Sequence, residues 1–486
     1  MKKWIITVST VFFLAWAGDS DAVSASLKLD RIDPGPTPFI SFLTLKISEP
    51  TTLATIKFTV QPKPLSQTRP IAASYTSAYL QSHDYFNLRN GKLTLPVFGL
   101  YQNFSNTVTV QSRFTDGSSQ QQTVTVASAD FDGGTFDDPT IVQSRLPGTT
   151  LSYDFMLLKS ISLATTPVII DSDAEIRWVG TAPVTTQSSI LFQNGLYVAD
   201  GTSLVRQEFD GRYQTLASYD SLGVTDFHHN FDVGRDGIIT EVDTVDWTEC
   251  VNIEVDASGN VLRTWNLADI ISAAMIAGGD DPNDFLQPAP ADWFHNNATA
   301  YRKSDNSLIV SSRENFVVAI DYDSGAIRWI LGDTTKHWYE FPSLRAFALT
   351  LGPNSLPPIG QHAVSFFHDQ LLLFDDGEGS LYQSPPGETR TYSAPRRYSI
   401  AGNTATEVWH YLADPPIDSP FCSSVYEDKA NNYFIDYTLA GPNISTDLVG
   451  LDNTGSIAFY YQYPVLAGCS TAWNAVPIHL EDLRFK

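Results

Sequence analysis

Val255-Asp-Ala-Ser-Gly-Asn-Val-Leu-Arg-Thr-Trp265 and Asp321-Tyr-Asp-Ser-Gly-Ala-Ile-Arg-Trp329 share one layout: the end of one strand, a tight Asp/Ser/Gly turn, and a second strand that reaches a tryptophan. Alternating apolar and polar residues around such turns mark hairpins and exclude helix. The layout recurs in Ile170-Asp-Ser-Asp-Ala-Glu-Ile-Arg-Trp178, in Ala401-Gly-Asn-Thr-Ala-Thr-Glu-Val-Trp409 and in Leu451-Asp-Asn-Thr-Gly-Ser-Ile-Ala-Phe-Tyr460, with a weaker copy at Glu208-Phe-Asp-Gly-Arg-Tyr213. Roughly six units of about 40 to 60 residues predict an all-β chain built as a six-bladed β-propeller, with four-stranded blades around a central channel. A large sandwich would account for the strands but not for the periodic turn followed by tryptophan.

The propeller is expected over residues 136–486. Residues 26–135 are rich in Thr, Val, Ser and Pro, as in Thr52-Leu-Ala-Thr-Ile-Lys-Phe-Thr-Val60 and Thr107-Val-Thr-Val-Gln-Ser-Arg-Phe114, and their alternation predicts a small β-sandwich-like domain with a packing or dimerisation role. Residues 1–25 read as a secretory signal peptide. Met1-Lys-Lys opens with positive charge, an apolar run too short for a convincing membrane span follows, and small residues stand at Ala17, Ala22 and Ala25. The protein is therefore expected to be periplasmic or secreted, with no membrane association once the signal is removed; an uncleaved amino-terminal anchor is the alternative. Asp130-Phe-Asp-Gly-Gly-Thr-Phe-Asp-Asp138 lacks the ligand spacing of a calcium loop and reads as a solvated linker. Leu267-Ala-Asp-Ile-Ile-Ser-Ala-Ala-Met-Ile-Ala277 is the clearest helix.

At 486 residues, 43% hydrophobic and 12% aromatic, the chain has ample material for cores. A net charge of −24 argues against nucleic acid or an anionic membrane as partner. An anionic substrate would have to be held by a local cluster against that global field. Cys250, Cys422 and Cys469 are too few and scattered for a disulfide framework or a zinc site. Spacing alone leaves open whether Cys422 and Cys469 pair.

The candidate chemistry lies where histidines stand at strand starts in a repeated frame. Phe227-His-His-Asn-Phe-Asp-Val-Gly-Arg-Asp236 and Gln361-His-Ala-Val-Ser-Phe-Phe-His-Asp369 each place a histidine seven residues before an Asp turn, since 236 − 229 = 369 − 362. Asp292-Trp-Phe-His-Asn-Asn297, with Ser311-Ser-Arg313 downstream, is the same strand, turn and strand with a few more residues. The candidates are His362, His295, Arg313 and His229, with His228 as the alternative to His229, because neighbours on a strand face opposite sides. The match with the His362 frame favours His229. Asn297 would share the face of His295 on a regular strand and bind substrate. His83, His337, His410 and His479 read as structural or surface residues, His368 as a solvated turn residue, and the repeat tryptophans as blade core.

Together, Phe227-His-His, Asp292-Trp-Phe-His-Asn-Asn with Ser-Ser-Arg313, and Pro358-Ile-Gly-Gln-His362-Ala with Leu371-Leu-Leu-Phe-Asp-Asp-Gly377 resemble the bacterial arylsulfate sulfotransferases, which transfer a sulfuryl group between phenols without a nucleotide donor. The likeness covers most of the chain. It implies a six-bladed propeller after a small β-domain, a periplasmic enzyme that is often dimeric, and a histidine that becomes covalently sulfated. On that resemblance His362 is the nucleophile, with His295, Arg313 and one histidine of the His228-His229 pair around the sulfuryl group. The family can carry a short-range disulfide, and this sequence has no closely spaced cysteine pair.

The residue types suit that chemistry. A neutral imidazole is a competent nucleophile near pH 7, and its labile bond to sulfur divides one transfer into two steps, a ping-pong route from aryl sulfate ester to phenol. Arginine offers a planar fork to an oxyacid. Further histidines can donate to sulfuryl oxygens or move the phenol proton. No metal and no cofactor is called for, because the donor is already an activated ester. Two other classes compete. A metal-dependent esterase or lactonase propeller would draw ligands from Asp292, Asp375 and Asp376. A non-catalytic ligand-binding propeller would not call for three histidines and an arginine at blade starts. A formylglycine sulfatase is excluded, since Cys250-Val-Asn-Ile, Cys422-Ser-Ser-Val and Cys469-Ser-Thr-Ala lack the Cys-x-Pro-x-Arg context.

Overall fold

The computed structural model of the protein describes residues 26–486; the expected signal peptide lies outside them. Among the described residues no helix is long and apolar enough to cross a membrane. The all-β expectation is met: eight sheets account for the strands.

Two sheets come from the N-terminal third. One orders Leu27–Pro34, Ile40–Ile47, Lys92–Phe98 and Phe86–Asn87; the other orders Ile71–Thr76, Leu53–Val60, Ser105–Phe114 and Ser119–Ala127. Their alternation has the physical cause read from the sequence. In Ser105–Phe114 every second residue is buried, and Val108 and Val110 are fully covered; burying each such side chain stabilises by about 1.5–3 kcal/mol. The core of these two sheets is continuous with the rest of the molecule through Phe155, Trp178 and Phe209, the last stacked on Phe98 at 4.5 Å. Leu483–Phe485 leaves the C-terminal part of the chain and pairs in parallel with Ile71–Thr76.

The other six sheets are antiparallel meanders, here numbered I to VI. Sheet I orders Asn474–Ile478, Phe155–Lys159, Val168–Asp171 and Ile176–Val179, so its first strand comes from the far end of the chain. Sheet II runs Ser189–Phe192, Gly195–Asp200, Ser203–Glu208 and Tyr213–Ser218; sheet III runs Val224–Val233, Ile238–Thr244, Val251–Val255 and Val261–Asn266. Sheet IV runs Asn296–Arg302, Ser307–Ser312, Val317–Asp321 and Ile327–Leu331. Sheet V runs His362–Phe367, Gln370–Asp375, Ala394–Ala401 and Thr404–His410, and Thr350–Leu351 covers its outer edge. Sheet VI runs Ser424–Glu427, Tyr433–Leu439, Ser445–Leu451 and Ile457–Pro464, edged by Thr140–Gln143. Covering an outer edge removes a row of unpaired backbone groups.

All six turn motifs form the hairpin between the third and fourth strands of a sheet, and each hairpin carries a register shift. Gly259 and Gly325 take φ of 86° and 73° at these turns, a region that side chains disfavour. Trp178, Trp265 and Trp329 are buried between sheets, and Trp409 stacks on Tyr433. The helix is observed at Leu267–Gly278, capped by the Asn266 side chain and ended by left-handed Gly279. One expectation needs correcting: the stretch 130–138 is not simply solvated, because Phe136 is buried and Phe131 packs against Phe39.

Candidate active site

The first strands of sheets III, IV, V, VI and I lie side by side in that order, and Ser189–Phe192 of sheet II touches both Val224–Val233 and Phe155–Lys159. In sheets III, IV and V the first strand breaks register at one equivalent place: between His228 and Phe231, between Asn296 and Ala298, and between His362 and Ser365. His229, His295 and Ala363 take positive φ there (41°, 52° and 53°). A bulge of this kind re-aims a side chain that a regular strand would send elsewhere. The result is convergence. The rings of His229 and His295 are 4.6 Å apart, His229 and His362 6.2 Å, and His295 and His362 6.4 Å.

These three histidines and Arg313 line one cavity of about 450 Å³. His229 is in its wall; His228 stands behind, with its Nδ1 3.1 Å from the Nδ1 of His229. Asn297 does not line the cavity. The bulge turns it so that its amide donates to the Gln361 carbonyl at 2.9 Å, next to His362, which gives it a positioning contact where substrate contact was expected.

Carboxylates surround these groups: Glu249 and Glu314, left without a role in the sequence reading, and Asp376, weighed there only as a metal ligand. Glu249, Glu314 and Asp376 all follow the second strand of their sheets, on the rim where the first strands begin. His362 Nδ1 faces the Gly360 carbonyl at 3.0 Å and an Asp376 carboxyl oxygen at 2.8 Å. The proton is thereby assigned to Nδ1, which leaves the Nε2 lone pair free. Burial, with His229, His295 and Arg313 nearby, pushes His362 well below the ordinary histidine range, and burial pushes Asp376 up against the pull of Arg313. His362 therefore rests neutral near pH 7, and Asp376 is biased toward its neutral form.

His295 behaves oppositely. Its Nδ1 bonds Asp292 and lies 2.9 Å from Glu249. Burial disfavours its charge, but Glu249 and Asp292 outweigh that and raise it to about 10. His229 is lowered to about 3 by burial, with Glu249 opposing and His295 and His228 adding to the effect. The cavity thus holds one imidazolium and two neutral imidazoles.

Arg313 is 2% exposed. Its Nη1 donates to Glu314 at 2.6 Å, and its backbone N–H bonds the His295 carbonyl at 3.0 Å. Nε and Nη2 have no partner in the protein, so the guanidinium retains two buried donors for an oxyacid. Lys336, also buried, fixes this corner by donating to the carbonyls of Arg313 and Glu314.

The remaining wall is apolar: Leu381, Tyr382, Phe421, Leu439, Trp473 and the Cys422–Cys469 disulfide, which settles the pairing that spacing left open. Trp473 lies 5.5 Å from His229, and Phe421 sits 5.0 Å from the Arg313 guanidinium. Neither aromatic carried a sequence signal, since both come from segments outside the histidine frames. Among the carboxylates of the metal-centred alternative, Asp375 is held by Arg390, Arg396 and the Ile359 N–H and is absent from the cavity wall. Nitrogens of His229, His295 and His362 all lie within 4.8 Å of one another, a spacing that could hold a divalent cation.

Residues 141–461 match the model of the arylsulfotransferase (ASST) family, and residues 42–129 match an arylsulfotransferase Ig-like domain. An arylsulfate sulfotransferase of Escherichia coli O6:H1 is 28% identical over 231 residues, 37% of this chain and 38% of the relative. One of Lelliottia amnigena is 25% identical over 224 residues, 36% of this chain and 37% of the relative. The matched stretch therefore spans well under half the length of either relative. Among solved structures, Sqt1 of Saccharomyces cerevisiae covers 89% of this chain and 95% of its own, at 8% identity and a TM-score of 0.34, too loose a likeness to inform the fold.

Proposed function

Because the chain belongs to the arylsulfotransferase family, we propose that it transfers a sulfuryl group from an aryl sulfate to a phenol in two half-reactions through a sulfated His362. We read sheets I to VI as the blades of a six-bladed propeller whose axis holds the site. The observation that carries the proposal is a neutral, buried His362 whose Nδ1–H is tied back, set beside an arginine with two unpartnered donors.

In the first half-reaction the Nε2 lone pair forms the N–S bond as the S–O(aryl) bond breaks. Arg313 takes the sulfuryl oxygens, and the His295 imidazolium gives its proton to the departing phenolate. Nδ1–H stays on the ring, which becomes cationic between the Gly360 carbonyl and Asp376. In the second, the acceptor phenol returns a proton to His295 while its oxygen takes the sulfuryl group and the N–S bond breaks. Atoms, charge and protons balance over the cycle. The Cys422–Cys469 disulfide supports a location in an oxidising compartment, in line with the expected signal peptide.

Turnover of a chromogenic aryl sulfate with and without added phenol tests the reading. Phenol should accelerate donor consumption, since a bound acceptor has a high effective concentration at sulfur, and donor alone should add one sulfuryl mass to the protein. A second reading, a metal-dependent hydrolase on the three histidines, is favoured by their mutual spacing. The proton on His295 opposes it, because a cation would have to displace that proton from beside Asp292 and Glu249. Dialysis against EDTA should leave activity intact. Loss restored by a divalent cation, with no response to phenol, would transfer the assignment to the hydrolase.

A further inference from the structure

The walls of the cavity divide by chemistry. His229, Glu249, Asp292, His295, Arg313, Glu314 and His362 come from sheets III to V and the turns beside them. The apolar wall, Phe421, Leu439 and Trp473 with the disulfide, comes from the segment leading into sheet VI, from sheet VI itself and from the segment between sheets VI and I. The segment 380–383, which follows the second strand of sheet V, completes the apolar side and reaches into solvent. Leu381 is 62% exposed and Tyr382 46% exposed, although both line the cavity. Large apolar side chains left open at a cavity mouth gain free energy when a ligand covers them.

This segment is not loose. A single Glu314 carboxylate oxygen accepts from the Ser380 hydroxyl, from the Leu381 N–H at 2.6 Å and from the Tyr382 N–H at 3.1 Å. Ser380 Oγ in turn accepts from the N–H of Gln383 at 2.9 Å. The other oxygen of Glu314 is the partner of Arg313. One buried carboxylate therefore fixes both the group that grips the sulfuryl oxygens and the backbone that presents Leu381 and Tyr382. A cavity of about 450 Å³ is also roomier than a single ring requires, being within the range that holds drug-sized ligands.

Resting on the sulfuryl-transfer reading, we propose that Leu381 and Tyr382 form a selectivity wall, positioned by Glu314, that favours uncharged apolar aryl groups of more than one ring as donor and as acceptor. In a two-step cycle both aryl groups occupy the same place in turn, so the preference applies to both half-reactions. The charged residues stay at the sulfuryl end and offer nothing to a polar substituent on the distal side of the ring.

The test compares kcat/KM for 2-naphthyl sulfate and phenyl sulfate, with one fixed phenolic acceptor different from either leaving group, in the wild type and in Leu381→Ala and Tyr382→Ser. Both substitutions lie on exposed side chains, and Ser380→Ala probes the clamp without removing an apolar contact. The wild type should prefer the naphthyl ester, and each wall variant should cut that ratio roughly tenfold, the scale of a few lost apolar contacts in a binding pocket. Ser380→Ala should lower the ratio in the same direction, through KM more than kcat. Release of 2-naphthol and of phenol from the two esters at a ratio near one, or a ratio that none of the variants moves, overturns the wall and leaves sulfuryl transfer standing. Release from neither ester overturns both.

Discussion

The two ends of the six first strands solve the same problem differently. At one end His229, His295, His362 and Arg313 converge; at the other, a second cavity of about 450 Å³ is lined by Lys159, Asp232, Thr299 and Tyr426 among apolar residues. In the Lys159 cavity the buried polar groups are answered. Asp232 accepts from the Thr299 N–H at 2.9 Å, from its hydroxyl at 3.1 Å and from Asn230, while Lys159 bonds the Asn230 side chain and faces the Phe231 carbonyl. In the histidine cavity Arg313 Nε and Nη2, and one oxygen of Asp292, lack partners. An unanswered buried donor costs stability. Where one end spends its polar groups on holding the fold, the other keeps them back for a ligand.

Four measurements would break or sharpen that contrast. The largest effect is expected from His362→Ala, which should lower turnover by about 10⁴-fold or more, as loss of a nucleophile does, and abolish the mass adduct formed with donor alone. Near wild-type turnover would end the covalent reading. Next, Arg313→Lys should cost on the order of 10²-fold, because a point charge cannot offer two parallel donors to an oxyacid; normal kinetics would make Arg313 structural.

The third is a pH profile. Neutral His362 persists until pH falls well below 6.5, and protonated His295 persists until pH rises through about 10. Activity should therefore hold a plateau across neutral pH and fall on the alkaline side near 10. In His295→Asn that alkaline limb should vanish along with roughly tenfold or more of the rate. An alkaline limb unchanged in this variant would remove His295 from proton transfer. The smallest effect on catalysis is expected at the other end of the strands. Lys159→Ala leaves the buried Asn230 side chain and Phe231 carbonyl without their donor and should destabilise the fold by about 1–3 kcal/mol, while kcat of the folded protein stays close to wild type. A collapse of kcat without loss of stability would show that the two ends are not separate in function.

Much of this arrangement was legible in the sequence, for reasons that also set the limit. The outer hairpins were readable because turn and tryptophan are local, and His229, His295 and His362 because each begins an equivalent strand. Arg313 was readable from its distance to His295. Glu249 and Glu314 were not, since acidic residues follow many strands here and only the meeting of neighbouring sheets selects them, and Asp376 was read only as a possible metal ligand. Asn297 was misread because a regular strand was assumed where a bulge intervenes. Trp473 and the disulfide partner of Cys422 belong to the segment around the first strand of sheet I, and nothing local to that segment announces a cavity wall.

That segment also bears on how the molecule comes into being. Residues 474–478 supply the inner strand of a sheet whose other strands begin at Phe155, and residues 483–485 add to a sheet begun at Leu53. Contacts across such sequence distances carry a high loop-closure cost and form slowly. During folding, both of these sheets must wait for one short stretch of chain before either is complete. The cavity lacks Cys469 and Trp473 for the same interval, so its apolar wall is completed only when the stretch leading into residues 474–478 has come into place.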